Sequence, residues 1–547
     1  MSNGVLLKYK GVAIGSDESF RVDDESTPPA PFVDYAQMFS DSSNIPNYGN
    51  PCEPYSVVLE GLSVPIPDEP EKAQMRYWSN ELNGDISTVN FQIVADALFS
   101  SAGISINFET VRDIFPTTVG ISWYRDDTLI ATQLFRPTSA RAFFDQKVEM
   151  YNRVQIVLFN LNMPRHRFRI ESISFGLNTE FTGKDLKNTK ISQQIDPVSA
   201  KIPINTCNFT VISDNIDFVF EQRQPIEIYF NDKLVGLTFI KNSAQKNAQV
   251  YDVQCEDYIG VLEGATFKGG MYNRQKASAI VSDICSIAGV PIDIAPELEN
   301  VLLTGHIAYG SCRSALQQVL IASNGVTDTS GTTLLRIKIL KNSLTQTIPP
   351  ERRKQGVNVS EETKMTEVRI TQHSFTPIFE ETTVYEADRS GTGENIEIVF
   401  SEPLHSLSIT KGKIIEQGVN YAIINANAGC VLKGKKFSHT TSVKSRKNPN
   451  VLRTDKENVF SITNATLIST DNVDKVLDVC YNRYVKNKTV RAKIVEGRNA
   501  DGSFEQPVNL GDLIEIETPF AGKLRCVAES QSFHLNGGIL VKDTILR

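Results

Sequence analysis

The sequence predicts a mainly β, multidomain protein with small α+β parts. Short segments of alternating apolar and polar residues, separated by Gly, Pro, Asn and Asp, recur along most of the 547 residues. Such a pattern is typical of antiparallel strands joined by turns. Three stretches instead have the spacing of amphipathic helices, at 276–288, 311–323 and 472–485. A chain of this length is too long for one core, so we expect roughly three to five domains.

Composition narrows the class of protein. Hydrophobic residues make up 40% of the chain and charged residues 22%, as in globular proteins. The formal net charge of −8 disfavours a general nucleic-acid binder, which needs a basic face to collect phosphates. No apolar run reaches the length of a membrane span, and no basic segment precedes the first apolar patch, so neither a membrane span nor a secretory signal is expected.

The eight cysteines are scattered, and none forms a C-x-x-C pair. Zinc ligation and disulfide frameworks both need clustered spacing. We therefore predict reduced, buried thiols in a protein made in a cytosol, at Cys52, Cys207, Cys255, Cys285, Cys312, Cys430, Cys480 and Cys526.

The N-terminal third divides into two parts. Residues 1–76 are rich in Pro and other turn formers and predict an extended arm, either docked on a neighbour or merely an irregular lead-in. Residues 77–176 predict a β-sandwich, with alternating strands at 89–93, 104–108, 119–124, 154–159 and 168–175.

The middle of the chain predicts a barrel followed by a small mixed domain. Residues 177–272 form strand–turn–strand units, with a turn at 231–233 and a longer loop at 241–247. Residues 273–345 predict an α+β domain of two helices and a hairpin. Gly289 ends the first helix, Ser311 caps the second, and Asn324-Gly325 stops it.

A polar segment at 346–364 predicts a linker, and residues 365–547 predict a second barrel region. Strands alternate at 366–372, 382–385, 396–400 and 421–424, and a helix follows at 472–485. Three short strands at 508–547 then form a closing barrel, because Gly and Asn turns separate them.

No catalytic constellation is found in the sequence. The six histidines lie far apart, and none stands in an H-E-x-x-H setting; a nucleophile elbow and a phosphate loop are also missing. The carboxylate pairs Asp126-Asp127, Glu361-Glu362 and Glu380-Glu381 are typical of turns and solvated faces. We predict no enzyme, no cofactor and no metal site.

Two basic patches could contact a ligand or a partner. Arg165, His166 and Arg167 precede the strand at Phe168 and, with Arg169, Trp78, Trp123 and Tyr124, could form a sugar platform. The alternative is that the arginines face water, where they pair with acids, and that both tryptophans lie in a core.

The second patch lies in an otherwise acidic chain. It predicts a contact loop for an acidic partner or for DNA, or else a solvated loop, at Lys433, Lys435, Lys436, Lys444, Arg446, Lys447 and Arg453.

Several phrases resemble phage proteins. "ASAIVSDICSIAGV" at 277–290, "YGSCRSALQQVLIASNGVTDTSG" at 309–331 and "LGDLIEIETPF" at 510–520 are similar to baseplate hub and tail-tip proteins of tailed bacteriophages. The resemblance covers roughly two thirds of the chain. "YWSNEL", "AGISINFET", "FPTTVGISWYRDD" and "NMPRHRFRIESISFG", between 77 and 176, resemble a discoidin-like module of phage tail proteins.

The hub resemblance implies hub-type β-barrels and a homotrimeric ring that joins the six-fold tail tube to the three-fold tip. It implies as partners a tail tube or distal tail protein, the tape-measure protein, a central spike or tip protein and peripheral baseplate proteins, with DNA in transit as a further contact. The protein would belong to the virion and be made in the host cytoplasm. A receptor-binding adhesin that uses the sandwich on surface polysaccharide is the alternative.

Overall fold

The computed structural model describes residues 4–12, 21–22, 32–34, 77–82, 88–109, 112–163, 167–170, 172–212, 220, 222–231, 233–247, 249–354, 356–387, 395–496, 506–518, 522–534 and 540–547. The fold is mainly β, as predicted. The chain divides into two compact units. One comprises Lys8–Glu180 with Gln224–Ile226, and the other comprises Met1–Leu7, Phe181–Arg223 and Glu227–Arg547.

The first unit is built from two sheets. Its strands are β1 Val5–Val12, β2 Arg21–Val22, β3 Phe32–Asp34, β4 Tyr77–Leu82, β5 Thr88–Asn107, β6 Pro116–Arg125, β7 Thr128–Phe135, β8 Arg141–Leu161, β9 Arg167–Ile170, β10 Ser172–Ser174 and β11 Gly176–Thr182, of which β1 and β11 extend beyond the unit. One sheet has the order β10-β5-β8-β6-β7 with β2 beside β5, and the other is β3-β4-β9; β1 and β11 pair with each other outside these two sheets. Among the residues whose side chains are described, one hydrophobic core contains residues of both sheets and lies within residues 89–175. It includes Trp123, Phe91 and Phe168.

Strand β5 joins two segments that the sequence predicts as separate strands, at 89–93 and 104–108. Its pairing with β8 shifts register between Val94 and Phe99 and again before Gly103. Such bulges break the strict alternation of a strand without ending it. The alternation of apolar and polar residues is therefore interrupted in the middle of β5, although the strand continues.

The second unit begins with a set of antiparallel strands and one short helix. They are β12 Leu186–Gln194, β13 Thr206–Ile212, β14 Pro225–Phe230, β15 Lys233–Asn247, β16 Val250–Glu256 and α1 Tyr258–Glu263. The predicted turn at 231–233 connects β14 to β15, and Asn231 has a left-handed φ of 49°. The predicted loop at 241–247 is wrong, because β15 continues through it and pairs with β16 up to Asn247. Helix α1 was not predicted.

The small α+β domain has the predicted order of elements. It contains β17 Thr266–Phe267, β18 Gly270–Lys276, α2 Ala277–Ile287, β19 Ile292–Ile294, β20 Leu302–Ile307, β21 Gly310–Ser311, α3 Cys312–Ser323, β22 Val326–Asp328 and β23 Leu335–Lys338, with a 3₁₀ turn at Pro296–Asn300. Ser311 caps α3 by accepting a hydrogen bond from the Ser314 amide, and Asn324 ends the helix with a φ of 58°. Gly289 follows α2 with a φ of 63°. These are the caps that the sequence predicts.

Residues 346–364 are not a linker. They form β24 Gln346–Ile348, a 3₁₀ turn at Pro350–Arg352 and β25 Asn358–Glu361. Both strands pair with the closing barrel, whose strands are β31 Lys488–Glu496, β32 Leu513–Thr518, β33 Gly522–His534 and β34 Leu540–Leu546. Ile348 is fully buried there, which explains why the segment is held despite its polar sequence.

Between these parts lies a sheet with very long strands. It consists of β26 Glu367–Glu386, β27 Asn395–Val399, β28 Leu404–Gln417, β29 Tyr421–Lys447 and β30 Val459–Ile462, and helix α4 Val473–Tyr484 follows. Strand β29 pairs with β26, β27 and β28, so it forms the centre of the sheet. The sequence predicts only the start of β29 and misses β28.

The two strand-rich ends of the second unit share one continuous sheet. Its order runs β15-β16-β13-β12-β33-β34-β31-β25. The seam is the antiparallel pairing of β12 with β33, from Lys190 opposite His534 to Gln194 opposite Ser530. A separate core, formed by α1 to α4 and the strands around them, packs the α+β domain against β26 and β30.

Candidate interaction surfaces and a histidine cluster

The first predicted patch is only partly described. Arg165 and His166 lie outside the described residues, and Arg167 begins β9 with its side chain outside them. Phe168 and Ile170 of the same strand are buried, as the alternation predicts.

The aromatic residues assigned to this patch do not share one surface. Trp123 is fully buried in the sandwich core, which confirms the core interpretation for that residue and removes it from a sugar platform. The side chain of Trp78 lies outside the described residues. Tyr124 projects from the other face of β6, half-buried.

A row of polar side chains crosses that outer face of the sheet. The Tyr124 hydroxyl donates to Gln155 Oε1 at 3.1 Å, and Gln155 Nε2 donates to Asn90 Oδ1 at 3.1 Å. The guanidinium of Arg153 lies 4.5 Å from the Tyr124 ring centroid, a cation–π distance. Three strands therefore present amides and one phenol along a line that proteins or sugars could reach.

The second predicted patch is a strand and not a loop. Lys435, Lys436, Lys444, Arg446 and Lys447 all lie on β29. The strand was missed because its polar residues continue far beyond the apolar core that its first residues contact. Whether this stretch contacts a partner stays a prediction.

Several of these cations already have partners within the chain. Lys436 Nζ lies 2.5 Å from Glu380 Oε1, and Lys435 lies over the Phe379 ring at 5.4 Å. Lys444 Nζ lies 2.8 Å from both oxygens of the Asp474 carboxylate.

Lys444 and Arg446 bind helix α4 through two matched ion pairs. Arg446 pairs with Asp478, one helical turn beyond Asp474, and also lies 5.0 Å from the Tyr481 ring. Four residues of helix rise about 6 Å, and two residues of strand rise about 6.6 Å. The spacing of the two acids therefore matches that of the two cations, and the pairs fix the position of α4 along β29.

The carboxylate pairs lie in turns and on strands, where they contact neighbouring side chains. Asp126 lies in the β6–β7 turn with a φ of 51°, and its Oδ1 accepts from Asn152 Nδ2 at 2.8 Å. Glu362 accepts from Thr489 Oγ1 at 2.9 Å and pairs with Arg547. These contacts are those expected of carboxylates in structural positions.

Seven cysteines fall within the described residues, and all are free and buried. Cys207 and Cys255 stand opposite each other on β13 and β16. Burial raises the pKa of the Cys207 thiol to about 12 and holds that of Cys255 well above its ordinary value. Neither thiol is therefore ionised at neutral pH. Cys52 lies outside the described residues.

Three of the six histidines come together around one phenylalanine. The ring of Phe375 on β26 stacks on His439 of β29, with centroids 4.4 Å apart and planes 3° apart. The ring of His373 lies beside that of His439, with planes 15° apart and centroids at 5.2 Å, and His306 of β20 meets the edge of Phe375 at 5.5 Å. This histidine cluster (His306, His373, His439) joins the α+β domain to the long-stranded sheet.

The hydrogen bonds of the cluster assign its tautomers. His373 Nε2 lies 3.0 Å from the Thr463 carbonyl, so this nitrogen carries the hydrogen. His373 Nδ1 must then accept, and its partner at 2.9 Å is His439 Nε2, which donates. His306 Nε2 lies 2.7 Å from Oδ1 of Asn420, a side chain with no exposed surface.

The cluster holds the segment that leads into α4, residues 463–472. The His373 amide donates to the Ile468 carbonyl at 2.7 Å, in addition to the side-chain bond to Thr463. On the other side, the Thr466 hydroxyl donates to the carbonyl of His306. Gly305 permits this approach, since a Cβ there would lie 2.3 Å from the Thr466 carbonyl oxygen.

A polar cavity of about 210 Å³ borders His373 and Phe375. Its lining is dominated by hydroxyl and amide side chains, together with a carboxylate and a phenol, from Thr304, Gln372, Ser374, Thr440, Thr441, Ser442, Ser469, Thr470, Asp471 and Tyr272. A cavity of this size and polarity can hold several waters. Water therefore has a route to the buried face of the cluster.

Burial dominates the electrostatics of the two inner histidines. It lowers the pKa of His373, and the charge of His439 lowers it further, against the bond to Thr463. Burial also lowers the pKa of His306, against the bond to Asn420. Both are therefore neutral at pH 7.

The sequence did not reveal this cluster. His373 and Phe375 alternate on one face of a strand, which is a usable signal, but His439 joins them through a pairing across a long connection. Among the described residues, no group of three or more His, Cys, Asp or Glu could hold a metal ion.

In the same described part, no helix has both the length and the apolar character to cross a membrane.

Comparison with known proteins gives structural neighbours only. No family model and no curated protein matches this chain. It is similar to a solved tail protein from Neisseria meningitidis MC58, with a TM-score of 0.44 and 9% identity over 68% of this chain and 94% of that one.

Two further tail proteins are similar at the same level. The 43 kDa tail protein of prophage MuSo2 from Shewanella oneidensis has a TM-score of 0.42 and 10% identity, covering 68% of this chain and 95% of that one. Prophage tail protein gp18 from Listeria monocytogenes EGD-e has a TM-score of 0.39 and 8% identity, covering 67% and 90%. Similarity of this degree does not by itself establish a common fold.

Proposed function

We propose that this chain is a structural hub or tail-tip protein of a phage or phage-tail-like particle. Three copies form a ring that joins a six-fold tail tube to a three-fold tip. The phrases at 277–290, 309–331 and 510–520 resemble that family. The observation on which the proposal rests most is the seam between β12 and β33.

The seam places two strand-rich lobes side by side in one subunit. One lobe is built from β12 to β16 and the other from β31 to β34, although they lie at opposite ends of the second unit's sequence. A subunit with two neighbouring lobes can offer two contacts to a ring above it. Three such subunits offer six, which is what a junction between three-fold and six-fold rings requires.

The proposal includes no catalytic activity and no cofactor. The acids Glu362, Glu380 and Asp474 pair with cations of the same chain, which supports a structural role for them. The partners are a tail tube or distal tail protein, the tape-measure protein, a central spike or tip protein and peripheral baseplate proteins. The protein would be made in the host cytoplasm, in agreement with its free buried thiols.

Imaging of assembled particles tests this function. We expect the chain at the tail axis in three copies, with the two lobes of each subunit facing successive subunits of the ring above. Six copies, one copy or a peripheral position would contradict the proposal. An isolated monomer in solution would not, because such rings can require their neighbours to assemble.

A receptor-binding adhesin is the second candidate, favoured by the polar row Tyr124–Gln155–Asn90. Amide and phenol groups on a flat sheet are suited to sugar hydroxyls. The purified chain would then bind cell-wall polysaccharide, and Gln155→Ala would weaken this binding. Thr117→Ala, on the same strand as Tyr124 but outside the row, is the matched control. Binding that is unchanged by Gln155→Ala would exclude this surface.

A further inference from the structure

We propose that the histidine cluster is a proton-operated latch, which holds the segment 463–472 against β26 when His373 is neutral and releases it when His373 is protonated. The proposal is independent of the tail function. It rests on the hydrogen bonds of His373 and on the contacts of the segment with β20 and β26.

His439 has a fixed role in the neutral pair. Its Nε2 hydrogen points at His373 Nδ1. Its ring is stacked face to face on Phe375, with centroids 4.4 Å apart, so the donor cannot turn away from His373 without losing this contact.

A proton on His373 must break a bond. The basic nitrogen of His373 is Nδ1, which accepts from His439 at 2.9 Å. A proton there replaces the acceptor by a donor, so two N–H groups face each other. The pair therefore separates, and His373 can no longer keep its present ring position toward Thr463.

Few opposite charges are available to compensate. The titratable groups that face the cluster from neighbouring elements are Tyr272 of β18, His306 of β20 and Asp471 of the segment itself. Asp471 is exposed, which screens its carboxylate. The imidazolium of His373 would thus have one solvated carboxylate to compensate its charge.

Release of His373 loosens the segment from both sides. The bond from the His373 amide to Ile468 and the bond from Thr466 to His306 hold the same short stretch. The Thr466 amide is held by Gln318 Oε1 of α3 at 2.9 Å. These contacts lie along one path from β26 to the α+β domain, so loss of the first exposes the others to water from the cavity.

Hydrogen exchange of the full-length protein tests the latch. Amide exchange of His373, Thr466 and Ile468 is compared between pH 7.5 and pH 5 after correction for the intrinsic pH dependence. As pH falls, we expect the opening constant to rise about tenfold per pH unit once protonation of His373 limits opening. No rise would overturn the proposal.

Two variants and one control make the result specific. His373→Gln keeps a donor for Thr463 and an acceptor for His439 but cannot be protonated, so exchange in 463–472 becomes independent of pH. His439→Gln donates to neutral His373 and, after rotation of its amide, accepts from protonated His373, so the pair survives protonation and opening moves to lower pH. His534→Gln, at an exposed position on β33, leaves the wild-type profile.

If His373→Gln does not fold, the shift in His439→Gln decides the question. An unchanged opening pH in that variant would contradict the latch. Wild-type behaviour of a folded His373→Gln variant would contradict it as well.

Discussion

At the scale of single residues, partners decide whether a buried carboxyl group is charged. Asp257 and Asp328 are both almost fully buried. Burial would raise the pKa of Asp328, but Lys338, Ser330 and Arg336 outweigh it and hold that pKa below its usual value. Asp257 has only neutral donors, Thr329 and backbone amides among them, so burial prevails and raises its pKa to about 7.

The ion pairs of Asp328 predict that removal of its carboxylate lowers the stability of the fold. Its Oδ2 lies 3.1 Å from Arg336 and 2.7 Å from Lys338. Asp328→Ala removes the carboxylate from two partly exposed cations and should lower the free energy of unfolding by about 2–3 kcal/mol, the range for a lost hydrogen bond to a charged group. Urea denaturation measures this. Glu380→Ala, which removes an exposed ion pair, should cost less than about 1 kcal/mol. Equal losses in both variants would refute the assignment.

Asp257 predicts a loss of stability toward alkaline pH. Its folded pKa of about 7 lies above the unfolded value, so the folded state binds more protons between these values. The stability that Asp257 contributes is therefore present below the unfolded pKa and falls as pH rises toward 7. Asp257→Asn mimics the protonated acid, and its urea midpoint should change less between pH 5 and pH 8 than that of the wild type. An identical change in both proteins would count against this.

At the scale of elements, charge spacing fixes the register of α4 on β29. The double variant Asp474→Lys, Asp478→Lys places like charges opposite Lys444 and Arg446. We expect a loss of about 1–2 kcal/mol, small because all four groups are at least partly exposed. Adding Lys444→Asp and Arg446→Asp should recover most of it in urea denaturation. Failure of this recovery would show that the pairs do not set the register.

Elements with local signals were predictable from the sequence. Helices α2, α3 and α4 were placed to within one or two residues, because apolar spacing and the residues Gly289, Ser311 and Asn324 mark them. Three strands of the closing barrel, β32, β33 and β34, were indicated by the turns between them, whereas β31 was not predicted. Both signals depend only on neighbours in sequence.

Elements that depend on distant partners were not predictable. Strand β24 pairs in parallel with β32, and β25 pairs with β31, so a segment with the composition of a linker becomes part of a barrel. Strand β28 largely alternates half-buried and exposed residues, and the second half of β29, from Lys435 to Lys447, contains no buried residue; both patterns remove the apolar signal. Register and pairing follow from tertiary packing, which periodicity does not report.

The same distinction holds for the candidate sites. The basic residues on β29 were recognised as a charge reversal, but their acids on α4 could not be assigned from the sequence. The histidine cluster was missed because its members were judged by spacing along the chain. Trp123 was placed in the core correctly, because it lies within an alternating strand.

At the scale of the whole molecule, two hydrophobic cores organise the chain differently. Among the residues whose side chains are described, the core of the sandwich uses those between 89 and 175. The largest core of the second unit draws on residues from Val198 to Cys480, so it unites the first barrel, the α+β domain, β26 and α4. A module with its own core can be deleted without unfolding the rest of the protein, whereas an element of a shared core cannot.

The final prediction follows from this difference between local and shared cores. Deletion of 77–176 should leave a soluble remainder that unfolds cooperatively in calorimetry and, in our proposal, still enters the ring of the assembled particle. Deletion of 277–323, a shorter segment, removes α2 and α3 from the shared core and should abolish folding, because the apolar faces of β26 and α4 lose their cover. If the first deletion makes the barrels insoluble, or prevents their incorporation into particles, the sandwich is integral to the ring. If the second deletion is tolerated, the shared core does not hold the second unit together.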